Sequence, residues 1–125
     1  MPPVRILLVE DNEVFRDALE LLLGMRDDVQ VVASVGDGAA VVSAALEHRP
    51  DVVLMDYRLP ALDGIQATAQ VVAALPEVSV VALTASADAA EREALIAAGA
   101  VACLNKDQEL EEIVGAIVQA ASPGP

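Results

Sequence analysis

Short runs of apolar residues alternate along this chain with longer stretches in which apolar positions recur at helical spacing. Five runs have strand character, at residues 4–9, 29–35, 51–55, 78–84 and 101–104. Runs such as Val52-Val53-Leu54-Met55 are apolar at every position, as in a strand covered on both faces. The intervening pattern predicts helices over 13–25, 37–48, 64–75 and 88–98, and a last one over 107–121. In that last segment Leu110, Ile113, Val114 and Ile117 fall at i, i+3, i+4 and i+7 and make one apolar face.

Local signals agree. Asp88 with Glu91 three residues on is an aspartate version of the capping box, and Asp107 is placed to cap the final helix, with Glu109 and Glu111 in its first turn. Gly99 stands where a helix end needs a residue free of Cβ. Pro50 and Pro60 lie outside all the elements. Five strand–helix repeats of this length imply parallel pairing, because each helix supplies the crossover that parallel neighbours need. The expected architecture is α/β: a five-stranded parallel sheet with helices on both faces.

Composition adds bounds to this picture. The 125 residues suffice for one domain, expected over residues 1–121, with Ser122-Pro123-Gly124-Pro125 as a tail or the start of a linker. The chain is 55% hydrophobic but only 2% aromatic, so the core is aliphatic. Twenty acidic residues against seven basic ones give a net charge of −13, which would repel a nucleic acid. Cys103 is the only cysteine, excluding an intrachain disulfide and a multi-cysteine zinc site, and its apolar neighbours suggest a buried structural thiol. His48, the only histidine, falls near a helix end and reads as a surface residue. The N-terminus has neither a signal pattern nor a membrane-length apolar run, so the expected location is cytoplasmic.

Candidate chemistry gathers at the strand ends. In a parallel α/β sheet, ligands bind beyond the carboxyl ends of the strands. Here those ends carry Glu10 and Asp11, then Asp56, then Thr84 and Ala85, then Asn105 and Lys106. Two carboxylates about 4 Å apart repel by about 4 kcal/mol at an effective dielectric of 20. Such a cluster either takes up a proton or binds a cation. Oxygen donors without His or Cys suit Mg²⁺. A carboxylate beside a metal ion, a hydroxyl and a lysine suits phosphoryl transfer. Each residue alone has a plainer reading: Asp11 or Asn12 could merely cap the first helix, and Lys106 could be a solvated end.

The segments Val4-Arg5-Ile6-Leu7-Leu8-Val9-Glu10-Asp11-Asn12, Val52-Val53-Leu54-Met55-Asp56-Tyr57-Arg58-Leu59-Pro60 with Asp63-Gly64, Val80-Val81-Ala82-Leu83-Thr84-Ala85-Ser86 and Cys103-Leu104-Asn105-Lys106 appear in order. Together they resemble the receiver domain of two-component response regulators, over 4–121. The resemblance implies the flavodoxin-like (βα)5 fold, Asp56 as phosphoacceptor and a histidine kinase as donor. It implies Mg²⁺ (or Mn²⁺) held by Asp11, Asp56 and the Arg58 carbonyl, with Glu10 acting through water. Thr84, the Ala85 amide and Lys106 would meet the phosphoryl group, with Arg58 and Ser86 flanking it. Lys106-Asp107, Gly99-Ala100 and the final helix resemble the NarL-type subgroup. That implies a homodimer on activation and DNA contact only through an output domain absent from this chain.

Two departures stand out. The family usually has an aromatic residue where this chain has Cys103, and often a proline, preceded by a cis peptide, where it has Asp107. The first motivates a rival reading, a degenerate receiver that binds partners without phosphorylation. A flavodoxin-type cofactor module would need a phosphate-cradling loop in place of Glu10-Asp11-Asn12-Glu13, and an aspartyl phosphatase would usually carry an acid at position 58, where Arg58 stands.

Overall fold

A computed structural model describes residues 2–59, 62–85 and 88–121. The expectations for Pro60, Ser86 and the 122–125 tail fall outside those residues. Five strands, β1 (Val4–Val9), β2 (Val29–Val35), β3 (Val52–Asp56), β4 (Ser79–Thr84) and β5 (Ala102–Asn105), form one parallel sheet in the order β2-β1-β3-β4-β5. The helices are α1 (Glu13–Gly24), α2 (Val41–His48), α3 (Gly64–Ala74), α4 (Ala89–Ala98) and α5 (Leu110–Ala121), and a 3-10 turn at Gly38–Ala40 leads into α2. Among the described residues, no helix is long and apolar enough to cross a membrane.

The two-residue period of the strands divides the core. Leu7, Val9, Val53, Met55, Val80 and Ala82 pack on Val41, Ala45, Ala67, Val71 and Leu95 of α2, α3 and α4. The alternate positions Ile6, Leu8, Val52, Leu54, Val81 and Leu83 pack on Leu19 and Leu23 of α1 and Ile113, Val114 and Ile117 of α5. That double burial is why the strand runs show no polar alternation.

The helix ends are built as their sequences suggest, with one exception. Asn12 Oδ1 accepts from the Phe15 amide, Asp63 Oδ1 from the Gln66 amide and Asp88 Oδ1 from the Ala90 amide. Gly99 closes α4 at φ 120°, against Val72. The exception is Asp107, which does not cap α5. It lies in a turn closed by the Gln108 amide on the Asn105 carbonyl, while the Gln108 side chain accepts from the Asn105 amide. These bonds delay the helix to Leu110. The Lys106–Asp107 peptide is trans.

Candidate functional site

Strand register places the acids side by side. Val9 of β1 lies opposite Met55 of β3, so the next residues, Glu10 and Asp56, emerge together at the sheet edge. Thr84 pairs with Asn105, and the Lys106 amide donates to the Thr84 carbonyl, bringing the lysine to the same edge. Glu10, Asp11, Asn12, Asp56, Arg58, Thr84, Ala85 and Lys106 line one cleft of about 330 Å³. Seven of the eight site residues expected from the sequence are therefore brought together. The eighth, Cys103, lies apart: it is half-buried and lines an open groove with Arg92, Glu93, Ile96 and Ala97. The expected buried thiol is thus corrected to a half-buried one, which lies on the edge strand β5 beside that groove.

The site is unusually charged for its depth. Glu10, Asp56 and Thr84 are 1%, 4% and 2% exposed, whereas Asp11 and Arg58 face solvent. Lys106 Nζ lies 2.7 Å from Glu10 Oε1 and 3.2 Å from Asp56 Oδ1. Glu10 Oε2 accepts from the Asn12 amide at 3.1 Å. Burial, then the hydrogen bond and charge of Glu10, push the Asp56 carboxyl up to about 7, against the pull of Lys106. Burial also acts to raise Glu10, but hydrogen bonds with Asp56, Lys106 and the Asn12 amide outweigh it and hold Glu10 below its usual range. Burial disfavours the charged Lys106, yet its two carboxylate partners raise it above its ordinary value.

One oxygen each of Glu10, Asp11 and Asp56 can be chosen so that all three lie within 4.8 Å of one another. All are hard oxygen donors and a single ammonium offsets them, so the set fits a small divalent cation better than a thiophilic metal.

The loop after Asp56 is shaped by the absence of a side chain. The Gly64 amide donates to the Tyr57 carbonyl, and a Cβ at Gly64 would sit 2.4 Å from the Asp56 carbonyl oxygen. Across the same loop, a Cβ at Gly38 would meet the Leu62 carbonyl at 1.7 Å. Both close approaches are backbone contacts that only glycine permits.

Residues 6–118 match the response regulator receiver domain family. The chain belongs to that family. Its receiver domain is 37% identical over 121 residues to the transcriptional regulatory protein LiaR of Bacillus subtilis, covering 97% of this chain and 57% of that protein. It is 34% identical over 114 residues to the response regulator GacA of Pseudomonas viridiflava, covering 91% and 53%. The chain thus spans little more than half the length of these relatives. The solved receiver domain of the response regulator NarL from Mycobacterium tuberculosis superimposes with a TM-score of 0.92 at 33% identity, covering 97% of this chain and 98% of that one. The receiver domain of the sensor histidine kinase PA1611 from Pseudomonas aeruginosa, solved with a magnesium ion in its active-site cleft, matches at a TM-score of 0.80 and 36% identity, covering 95% and 98%. The resemblance to NarL-type response regulators read from the sequence holds.

Three features of this receiver domain escaped sequence reasoning. Phe15 places its ring 4.8 Å from Lys106 Nζ. Arg16 donates from Nη1 to the Glu10 carbonyl and presses against Gly36. Beside the cleft, Asp11, Tyr57, Arg58, Leu59, Asp63 and Glu91 line a second depression of about 510 Å³. Only Arg16 gave a signal, as a cation in the first turn of the helix that follows the acidic pair.

Proposed function

We propose that this receiver domain is a phosphorylation switch in which Asp56 takes the phosphoryl group of a phosphohistidine on a histidine kinase. The observation that carries this reading is the convergence of Glu10, Asp11 and Asp56 with Lys106 ion-paired to two of them. An Asp56 carboxylate oxygen attacks phosphorus in line, and the phosphorus–nitrogen bond breaks with its electron pair left on the imidazole. Lys106 exchanges carboxylate contact for a phosphoryl oxygen, the Thr84 hydroxyl donates to another, and the Ala85 amide assists. Mg²⁺ (or Mn²⁺), when bound, neutralises charge on the reacting oxygens. Asp11, Asp56 and the Arg58 carbonyl would hold it, with Glu10 acting through water; the magnesium in the Pseudomonas kinase receiver supports this assignment.

The new dianion shifts an existing equilibrium, and the altered surface promotes a homodimer. Relatives described as transcriptional regulators, of nearly twice this length, support an output through a DNA-binding domain beyond residues 1–121, in the cytoplasm. The acidic surface, net −13, leaves DNA contact to that domain.

The test is incubation with acetyl phosphate and Mg²⁺, read by intact mass, with Asp56→Asn alongside. A metal-dependent gain of one phosphoryl group in the parent alone is expected. No gain with either acetyl phosphate or a kinase donor would leave Asp56 a structural residue in a phosphorylation-independent interaction module.

A further inference from the structure

The single lysine of this chain rests on its single phenylalanine. Lys106 reaches the cleft from the end of β5 on a flexible four-carbon stem, and such a stem does not hold its ammonium in one place by itself. Three elements meet that ammonium: Glu10 at the end of β1, Asp56 at the end of β3, and the ring of Phe15 on α1. The ring is itself fixed. Its backbone amide makes the α1 cap bond to Asn12 Oδ1 at 3.0 Å, and its side chain packs on the core layer between the sheet and α1 and α5.

The contact has a particular use in a site whose charges must rearrange. An aromatic face attracts a cation through its quadrupole but offers no lone pair and no negative charge. A carboxylate in its place would capture the ammonium, and an aliphatic side chain would fill the space without directing it. We infer that Phe15 is a positioning residue for Lys106, a seat that keeps the ammonium at the cleft wall while its oxygen partners change from carboxylate to phosphoryl. The inference rests on the functional reading above for its purpose, though the contact itself does not.

The experiment compares Phe15→Leu and Phe15→Tyr with the parent in two measurements. With selectively ¹³C-labelled lysine, the one lysine gives one set of ε-methylene signals. An upfield ring-current displacement is expected in the parent and in Phe15→Tyr, and its loss in Phe15→Leu. In acetyl phosphate labelling at saturating Mg²⁺, Phe15→Leu is expected to react about fivefold more slowly, and Phe15→Tyr at nearly the parent rate. Mg²⁺ affinity by calorimetry should stay within about twofold in both, since the ring faces the ammonium and offers no oxygen to the metal. Ordinary ε-methylene shifts in the parent would overturn the inference. So would Phe15→Leu reacting at the parent rate, or Phe15→Tyr being as slow as Phe15→Leu, which marks packing alone. If the parent takes up no phosphoryl group but shows the ring-dependent shift, the switch reading fails and the seat stands.

Discussion

The cleft at the ends of β1 and β3 and the groove between α4 and β5 are built on opposite plans. In the cleft, buried carboxylates, an ammonium, a cap amide and an aromatic face are all engaged within a few ångströms. In the groove, Cys103 is half-covered, Ile96 is 48% exposed, and Arg92 Nη1 donates to the Cys103 carbonyl at 3.0 Å. The first region is constrained by charge, so almost any change there has a cost or a gain set by electrostatics. The second is held by that hydrogen bond and by loose packing. The proposed phosphoryl-binding cleft is thus specified far more tightly than the surface of α4 and β5.

That contrast can be broken most forcefully at Asp56. In the metal-free protein its carboxyl titrates near 7, against 3.8 for an ordinary aspartate. Between those values the folded state holds a proton that the unfolded chain has lost. Stability from this group is therefore full below about pH 4 and is lost as pH rises through about 7. Glu10 works in the opposite sense, its contribution being lost as pH falls below its usual 4.5. Asp56→Asn removes the repelled charge, and denaturant unfolding in chelator should show it more stable by about 2–4 kcal/mol at pH 8. The gain should shrink toward pH 5 and largely disappear with saturating Mg²⁺ in the parent. A pH-independent difference would mean that Asp56 does not exchange a proton on folding and that the substitution acts through packing or hydrogen bonding instead.

A smaller effect is expected in the adjoining loop. Gly64→Ala forces a Cβ against the Asp56 carbonyl and the Tyr57 Cα. It should lower unfolding free energy by about 1–3 kcal/mol and slow acetyl phosphate labelling as well. Full stability with slowed labelling would separate loop geometry from packing.

The smallest effect belongs to the groove. Cys103→Tyr has open space toward Ile96 and Ala97, so a melting curve should move by less than the equivalent of about 1.5 kcal/mol. The proposed phosphorylation-dependent dimerisation, read by sedimentation velocity in an analytical ultracentrifuge, should then strengthen with an aromatic ring at this position, and an unchanged dimer would leave Cys103 without a part in it. Burial raises the Cys103 thiol above its ordinary value, with Arg92 opposing and Glu91 assisting. Its reaction with a disulfide reagent at pH 8 should accordingly be slower than that of a free thiol; an equal rate would mark the groove as more open than described.

The same division separates what the sequence made legible from what it did not. The sheet was readable because Val52-Val53-Leu54-Met55 and its fellows are buried on both faces, and the acids were readable because strand ends in such sheets converge. Boundaries shifted where short-range bonds intervened: the 3-10 turn at Gly38–Ala40 before α2, and the Gln108 contacts that displaced the Asp107 cap. The approach of Gly38 to Leu62 and of Phe15 to Lys106 joins residues 24 and 91 positions apart, and no local pattern encodes either pairing. Cys103 showed a missing ring in the sequence, but that its absence leaves a groove became visible only in three dimensions.

Having Lys106 as its sole lysine gives this protein an unusual reagent profile. Activated esters, amine-coupled sensor chips and lysine cross-linkers normally scatter over a surface, averaging their damage. Here the only side-chain amine they can find is the one facing Glu10 and Asp56. Side-chain labelling would therefore report directly on the cleft, while attachment through that amine would silence it, so binding assays on this chain call for affinity-tag immobilisation instead.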